Sequence, residues 1–226
     1  MIILRVQGNA RGTATSSPIS VTLARIPTRG NILILCFAGF NNTSPAPSVS
    51  RITQTGVYWI LAKTSAYAPQ GLEAEVWVGV VGEKPSTSIS VAVTYSGSLS
   101  AVVDVCEYSG LPTSSFVDVS ASANSGGAST YPSTGSAITT QAPDLWIGCV
   151  NAYGSAETGA SNGFTFLDGV LFNSVVSCSY LEKIVSARGA ATSTLSPTQD
   201  FYWCGCIVAF SSLHTILGGA LSNVTA

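Results

Sequence analysis

Alternation of apolar and polar residues with a period of two constrains the fold of this chain more than any other sequence feature. A segment such as "SISVAVTY" (Ser88–Tyr95) places its apolar side chains on one face of an extended strand. Helical periodicity is scarce, and clusters such as "PTRGN" and "NSGGAS" separate the segments. The sequence therefore predicts an all-β protein.

Strand predictions recur along most of the chain. They cover Ile19–Ala24, Asn31–Gly39, Ser48–Gln54, Val57–Ala62, Ala74–Val81, Ser88–Tyr95, Leu99–Tyr108, Phe116–Ser122, Ser136–Gln141, Asp144–Ala152, Phe164–Asp168, Val175–Val185 and Phe201–Phe210. Many short strands joined by Gly/Pro/Ser turns are typical of a sandwich. We expect a single jelly-roll-like antiparallel β-sandwich domain over residues 1–210 and an apolar C-terminal tail over 211–226.

Two further patterns bear on the organisation of this domain. The Ser/Gly-rich stretch Ser120–Ser136 is interpreted as an exposed loop within the domain. The segments "PISVTL" and "SISVAV" resemble each other, but one such pair does not establish a repeat.

The chain is poor in charge. Charged residues make up 9% of it, and the formal net charge is −2. A surface of hydroxyls and amides removes one barrier to self-association. The nine Lys and Arg residues form no basic stripe, so nucleic acid is not an expected partner. No apolar run approaches the ~20 residues of a transmembrane helix, so membrane insertion is not expected.

The six cysteines allow two interpretations. Four of them lie in apolar runs, which is typical of thiols packed as small hydrophobic side chains. A disulfide within or between subunits is the alternative, because the count is even and the composition resembles that of secreted proteins. Cys204 and Cys206 share one strand face, which is not the spacing of a zinc site. The disulfide candidates are Cys36, Cys106, Cys149, Cys178, Cys204 and Cys206.

We find no catalytic motif, and we expect neither an enzyme nor a cofactor. The one histidine, His214, lies in the tail, so a nucleophile–histidine pair is not indicated. Glu182 and Lys183 are interpreted as a local ion pair or as cross-strand partners. Asp118 and Asp168 lack the loop pattern of a calcium site, so no metal is expected. Four acidic residues fit solvated strand ends better than a hydrolytic carboxylate pair, namely Glu73, Glu75, Asp104 and Glu107.

Aromatic residues and sequons leave a carbohydrate role open. Core packing is the simpler interpretation of the tryptophans, since all four lie in predicted strands. A sugar-stacking surface is the alternative, and its candidate aromatics are Trp59, Trp77, Trp146, Trp203, Tyr67, Tyr131 and Tyr153. Asn41, Asn42 and Asn223 begin N-x-S/T sequons, whose glycans would hydrate a surface poor in charge.

Four segments carry a resemblance to known domains: "AVVDVCEYSGLP", "PDLWIGCVNA", "SNGFTFLDG" and "SCSYLEKIVSARG". Through them the chain resembles, over roughly residues 15–210, a large group of Ser/Thr/Gly-rich β-sandwich domains. Such domains occur in surface, filament-like and phage-type structural proteins of bacteria and archaea. The resemblance implies a jelly-roll-like structural module and assigns no functional residue.

The chain ends in the apolar tail "SSLHTILGGALSNVTA" (Ser211–Ala226). As a helix, its aliphatic residues share one face, although two glycines cost about 1 kcal/mol each there. As a strand, it would add to an open sheet of a neighbouring copy, and such head-to-tail contacts build a filament unless a ring closes. Folding back on its own sandwich is the alternative. The predicted inter-subunit docking residues are Leu213, Ile216, Leu217, Leu221 and Val224.

The sequence therefore predicts a non-enzymatic structural subunit whose partner is a copy of itself. We expect it to self-assemble into an extracellular, pilus-like filament or a similar assembly at the cell surface. The N-terminal "IILRV" is too short for a signal peptide, and if Met1 is the initiator, a virion or phage structural protein is favoured instead. A lectin-like module that binds glycans is the third interpretation.

Overall fold

Our computed structural model of the protein describes residues 2–82, 88–97, 100–128, 131–196 and 201–212. These residues form sixteen β-strands and one short 3₁₀ turn, Ala68–Gln70, which confirms the all-β sandwich class. The first eight strands are β1 (Leu4–Ala14), β2 (Ile19–Thr22), β3 (Ile32–Phe40), β4 (Val49–Thr53), β5 (Val57–Tyr67), β6 (Leu72–Val81), β7 (Ser90–Tyr95) and β8 (Ser100–Ser109). The other eight are β9 (Val117–Asn124), β10 (Ser133–Ile138), β11 (Asp144–Tyr153), β12 (Thr165–Asp168), β13 (Leu171–Phe172), β14 (Val176–Val185), β15 (Ala190–Thr194) and β16 (Trp203–Ser211).

Two large antiparallel sheets stack face to face and share one core. The first sheet has the order β1-β8-β3-β6-β5, and the second has the order β12-β14-β11-β16-β9 with β13 beside β14. The central strands β3 and β16 are almost continuous apolar runs because both faces of each strand are covered, and every residue of both is buried. The layer between the sheets includes Ile34, Val76, Ile147 and Tyr180.

Each large sheet carries a smaller cover sheet on its outer face. Strands β2-β7-β4 cover the first sheet and bury Val21 and Val93 against Leu35. Strands β10-β15 cover the second sheet, and an isolated bridge between Ala160 and Leu195 extends them. The described residues therefore form four layers of β-structure, two more than a simple sandwich.

The same topology occurs twice along the chain. Counted along the first half of the chain, the strands of the first sheet lie in the order 1-8-3-6-5. Read from β9, the second sheet repeats this order, with β12 and β13 together in the place of β5. The register is repeated as well, since Ile32 on β3 pairs with Tyr108 and Leu145 on β11 pairs with Phe210. The two halves of the chain, β1–β8 and β9–β16, are thus two versions of one strand arrangement.

The strand predictions are confirmed except where a strand is polar, is made of small residues or, like β13, is only two residues long. Strands β1, β13 and β15 were not predicted, because β1 is a polar edge strand and β15 reads only "AATST". The loop predicted over Ser120–Ser136 is wrong at both ends, which belong to β9 and β10. The similar segments "PISVTL" and "SISVAV" contain β2 and β7, which pair within one cover sheet, so their likeness does not reflect the duplication.

Candidate functional site

An apolar groove opens between the start of β5, the end of β6 and residues 113–116. It encloses about 650 Å³, and Tyr58 in its wall is 71% exposed. Ile60 and Val80 line the groove and also pack against the core between the sheets. The groove is therefore an open part of the same apolar layer. Its lining consists of Gly56, Val57, Tyr58, Ile60, Val80, Gly82 and residues 113–116.

Backbone hydrogen bonds hold the β5–β6 wall of this groove in place. Gly56 has a φ of 76°, which a residue with a Cβ rarely adopts. The turn that it permits lets Val57 N donate to Gln54 O at 3.2 Å. Gly82 N then donates to Gly56 O at 2.9 Å, which ties the end of β6 to the start of β5.

The C-terminal end of β16 reaches the opposite wall of the groove. Ser211 N donates to the carbonyl oxygen of Phe116 at 2.9 Å, and Phe116 lines the groove. The next residue, Ser212, donates its N–H to Pro143 O at 3.1 Å. Residues 213–226 lie outside the described part of the chain. The predicted docking residues all belong to that segment, namely Leu213, Ile216, Leu217, Leu221 and Val224, as does His214.

The prediction of disulfides is wrong for this structure. All six cysteines are free and fully buried. The two nearest sulfurs for which a contact is found, in Cys149 and Cys178, are 4.0 Å apart, about twice the length of a disulfide bond. Burial raises the pKa of Cys36 and of Cys106 to about 12. Disulfides between subunits are disfavoured too, because no sulfur reaches the surface. The packed-thiol interpretation holds for Cys36, Cys106, Cys149, Cys178, Cys204 and Cys206.

The acidic residues interpreted as solvated strand ends are buried instead. Asp104 and Glu107 face opposite sides of β8, as the alternation predicts, and both are fully buried. Glu107 accepts hydrogen bonds from Thr28 N at 2.8 Å and from Asn31 Nδ2 at 2.6 Å. Burial raises the pKa values of Glu73 and Glu75 to about 7, so burial of these carboxyls opposes their ionisation near neutral pH.

Asp104 and Asp168 bring two carboxyl groups together between the halves. The Asp168 carboxylate accepts bonds from Arg11 Nη1 at 2.5 Å, Val170 N at 3.0 Å and Asn9 Nδ2 at 3.2 Å. Backbone and Arg11 donors lower the pKa of Asp168 against its burial, whereas burial and the Asp168 charge raise that of Asp104 to about 8. Neither oxygen of Asp104 has a hydrogen-bond partner of ordinary length among the described residues. The arrangement links the sheets and offers no open cleft at Asp104.

Glu182 and Lys183 do not pair with each other. Alternation along β14 sends Glu182 towards Arg5, with an N–O distance of 3.6 Å. Lys183 points to the opposite face, where its Nζ lies 5.2 Å from the centre of the Trp146 ring. Asn162 accepts from the same ammonium, and this second environment is a separate groove on the outer side of the molecule.

The two described sequons differ in access. Asn42 is exposed and has a φ of 55° in its loop, so its amide is open to modification. Asn41 is half-buried, and its Nδ2 donates to Pro45 O at 3.3 Å. Asn223 lies outside the described residues.

The aromatic residues mostly pack inside the protein. Trp146 and Trp203 are buried, and Trp59 and Trp77 pack against the first cover layer. Of the tyrosines proposed for sugar stacking, Tyr67 stacks on Tyr202, Tyr153 packs on Phe40, and only Tyr131 is largely exposed. The seven aromatics therefore form no common platform.

Sequence reasoning missed both grooves. The residues that open them, such as Tyr58, Phe116 and Arg188, are distant in sequence and belong to no motif. Among the described residues no group of three or more His, Cys, Asp or Glu side chains is arranged to hold a metal ion. In the same part of the chain, no helix has the length and apolar character needed to cross a bilayer.

Comparisons with known proteins found no relative of this chain. No protein-family model matches it, and neither the curated proteins nor the solved structures gave a significant match.

Proposed function

We propose that this protein is a non-enzymatic structural subunit that self-assembles into an extracellular filament or a similar surface assembly. In this proposal the C-terminal segment 213–226 of one copy fills the apolar groove beside β5 of the next. The single observation that carries the proposal is that groove, an uncovered part of the core whose wall is bonded to the end of β16.

The groove favours an extended apolar ligand. Its walls come from the inner face of β5 and β6 and from Phe116, so an inserted strand would complete the layer between the sheets. The segment supplies five large aliphatic side chains, and burying each stabilises by about 1.5–3 kcal/mol before ordering costs. At ~3.3 Å per residue, the fourteen residues 213–226 would span roughly 46 Å if extended.

The surface supports permanent packing of copies. Of the nine acidic residues in the described part of the chain, seven are buried: Glu73, Glu75, Asp104, Glu107, Asp144, Glu157 and Glu182. Meanwhile Ile2, Tyr58, Ile138 and Val170 are exposed by 64–77%. A surface with few carboxylates and exposed apolar side chains has a low cost of desolvation on association.

Two finer features of the proposal rest on topology. In the first half, the strands β1-β8-β3-β6 form one sheet and the strands β2-β7-β4 form the sheet that faces it. This order supports a jelly-roll description of the first half. The second half has the same order with a shorter cover sheet. Two such units in one chain would suit a filament subunit or, as the alternative assembly, a virion protein.

Cysteine cross-linking between separate chains tests the docking step. One chain carries Tyr58→Cys and a second carries Leu217→Cys, and the two are mixed under mild oxidation. We expect a cross-linked dimer only in the mixture, because the six native thiols are buried and do not compete. The matched control replaces Tyr58→Cys by Val170→Cys, which is also exposed but lies after β12.

The doubly substituted chain separates docking within a subunit from docking between subunits. A ladder of cross-linked species on a non-reducing gel supports the proposal, whereas a cross-linked monomer would show that the segment fills its own groove and would overturn it. Electron microscopy of the purified protein then distinguishes filaments from closed shells, and a monodisperse monomer contradicts both.

A further inference from the structure

We propose that a second groove, on the outer side of the second half, binds the acidic groups of a polysaccharide, meaning sugar carboxylates or sulfates. This inference is independent of the assembly proposal. The groove encloses about 650 Å³ between the end of β14, the turn into β15 and residues 161–163. Two of its lining residues, Lys183 and Arg188, are cationic, and none is acidic.

The lysine of this groove is held in a fixed position. Lys183 Nζ donates to the backbone oxygen of Asn162 at 2.5 Å and to its Oδ1 at 3.2 Å. The same ammonium lies 5.2 Å from the centre of the Trp146 ring and 5.9 Å from that of Phe164. Two of its donors are thus used, and the two aromatic rings add cation–π contacts that hold it in place.

Asn162 is itself fixed, so the lysine has a rigid support. Its Nδ2 donates to Thr192 O at 2.9 Å and to Ala190 O at 3.3 Å, both on β15. Asn162 has a φ of 57°, a left-handed conformation that asparagine tolerates better than most residues. A cation held in this way loses little side-chain freedom when it meets an anion.

Arg188 provides the second cation and is exposed. Its one described bond, from Nη1 to Thr140 O, is 3.5 Å long, so most of its donors face solvent. Its backbone neighbour is anchored, because Gly189 N donates to Thr139 Oγ1 at 2.9 Å. A guanidinium of this kind binds carboxylate or sulfate oxygens in pairs.

Among the described residues, no carboxylate lines the groove. Glu182 points to the other face of β14 and pairs with Arg5. Asp118, whose partner Thr140 also accepts from Arg188, already receives hydrogen bonds from Thr140 N at 2.7 Å and from Gln141 N at 3.4 Å. The lining of the groove therefore carries two positive charges and no negative one.

The remaining lining favours a sugar over a nucleic acid. Ser186 and Thr192 add hydroxyl groups, and Trp146 adds an apolar floor. Its indole Nε1 has no acceptor among the described residues. A nucleic-acid backbone is met by a longer row of cations, whereas two cations and several hydroxyls match one acidic sugar and its neighbours.

The test measures binding of dextran sulfate and polygalacturonate, with neutral dextran and single-stranded DNA as comparison ligands. We expect the two acidic polysaccharides to bind and to be released by salt. The double variant Lys183→Gln, Arg188→Gln should weaken both by about tenfold or more. A matched double variant, Arg51→Gln with Lys63→Gln, removes the same charge from the first half and should change affinity less than about twofold.

Three results would overturn the inference. Equal losses in both double variants would mean that only net charge matters, and tighter binding of DNA with the same sensitivity would assign the groove to nucleic acid. Arg188→Gln alone is exposed and should leave the melting temperature unchanged, so its loss of affinity cannot be attributed to unfolding. Absence of binding by every acidic polymer to the folded wild-type chain also rejects the site.

Discussion

The two halves of the molecule share one strand order but cover their outer faces with different chemistry. In the first half, Val91 and Val93 on β7 pack against Leu35 and Val103 of the large sheet. Large apolar side chains thus separate the cover sheet from the sheet beneath it. The second half has no such valine layer at the corresponding strands, since β15 reads Ala190–Thr194 with only small residues.

Glycines stand at the corresponding sheet positions of the second half. Counting from the paired residues Ile32–Tyr108 and Leu145–Phe210, Leu35 corresponds to Gly148 and Val103 to Gly205. A Cβ at Gly205 would collide with the carbonyl oxygen of Ser133 on β10. The second cover therefore lies closer to its sheet than side chains would allow.

Buried hydroxyl groups add to the apolar contacts in this thinner layer. Thr134 Oγ1 accepts from Ser193 N at 2.9 Å, and Thr139 Oγ1 accepts from Gly189 N at 2.9 Å. Both threonines are buried, and each satisfies a backbone donor of β15 or of the turn before it. The second half keeps an apolar cluster on the outer face of its large sheet, with Trp146, Leu181 and Ile207, but its cover strands add backbone and buried hydroxyls where those of the first half add large apolar side chains.

Placing valine, the residue at position 103 of the first half, at the corresponding Gly205 of the second half should have the largest effect on stability. Gly205→Val should destabilise the protein by at least about 3 kcal/mol, or about 10 °C in Tm, because a Cβ there meets backbone that cannot yield like a side chain. Thermal unfolding followed by circular dichroism measures it. The matched control Val103→Ala only opens a cavity and should cost about 2 kcal/mol. A Gly205→Val protein as stable as the wild type would show that the two covers are interchangeable.

The buried carboxyl groups in both halves of the molecule should make the stability of the protein depend on pH. Burial raises the pKa of Asp104 to about 8 and those of Glu73, Glu75 and Glu157 to about 7. In the unfolded chain these groups ionise near pH 4. Each therefore makes its full contribution to the free energy of unfolding below pH 4, and this contribution is lost as the pH rises through the pKa of the folded state. Asp168 has the opposite dependence, since its pKa is lowered. The four raised groups outnumber it, so we expect Tm to fall by about 5 °C or more between pH 5 and pH 8.5.

The substitution Asp104→Asn tests how much one buried carboxyl of the first half contributes to the pH dependence of Tm. Asp104→Asn removes the group with the highest raised pKa and should flatten the Tm profile between pH 6 and pH 8.5. The matched variant Glu157→Gln alters a second-half carboxyl that Ser177 and Ser179 already bond, and it should flatten the profile less. Identical profiles for wild type and Asp104→Asn would contradict the assignment of the raised pKa to this residue.

The sequence predicted the strands whose chemistry is apolar and missed those whose position is set by distant partners. The run "NILILCFAG" identifies β3 as a doubly covered strand, and it is buried throughout. Strand β15 carries no such signal, because its hydroxyls are useful only once β10 lies against them. The pKa of Asp104 follows the same rule, since besides burial it depends on the charges of Asp168 and Arg11 from elsewhere in the chain.

Exchanging threonine and valine, which have the same shape, in the two cover sheets should have the smallest effect on stability and compares the two layers most directly. Thr134→Val in the second half adds apolar surface but leaves Ser193 N without its acceptor, which should cost about 1–3 kcal/mol. Val93→Thr in the first half buries a hydroxyl in an apolar layer and should cost a similar ~1–3 kcal/mol. Urea unfolding measures both, with the exposed Thr94→Val as a control expected within about 0.5 kcal/mol of wild type. If Thr134→Val instead stabilises the protein, the buried hydroxyls are not what holds the second cover, and close backbone approach alone must account for it.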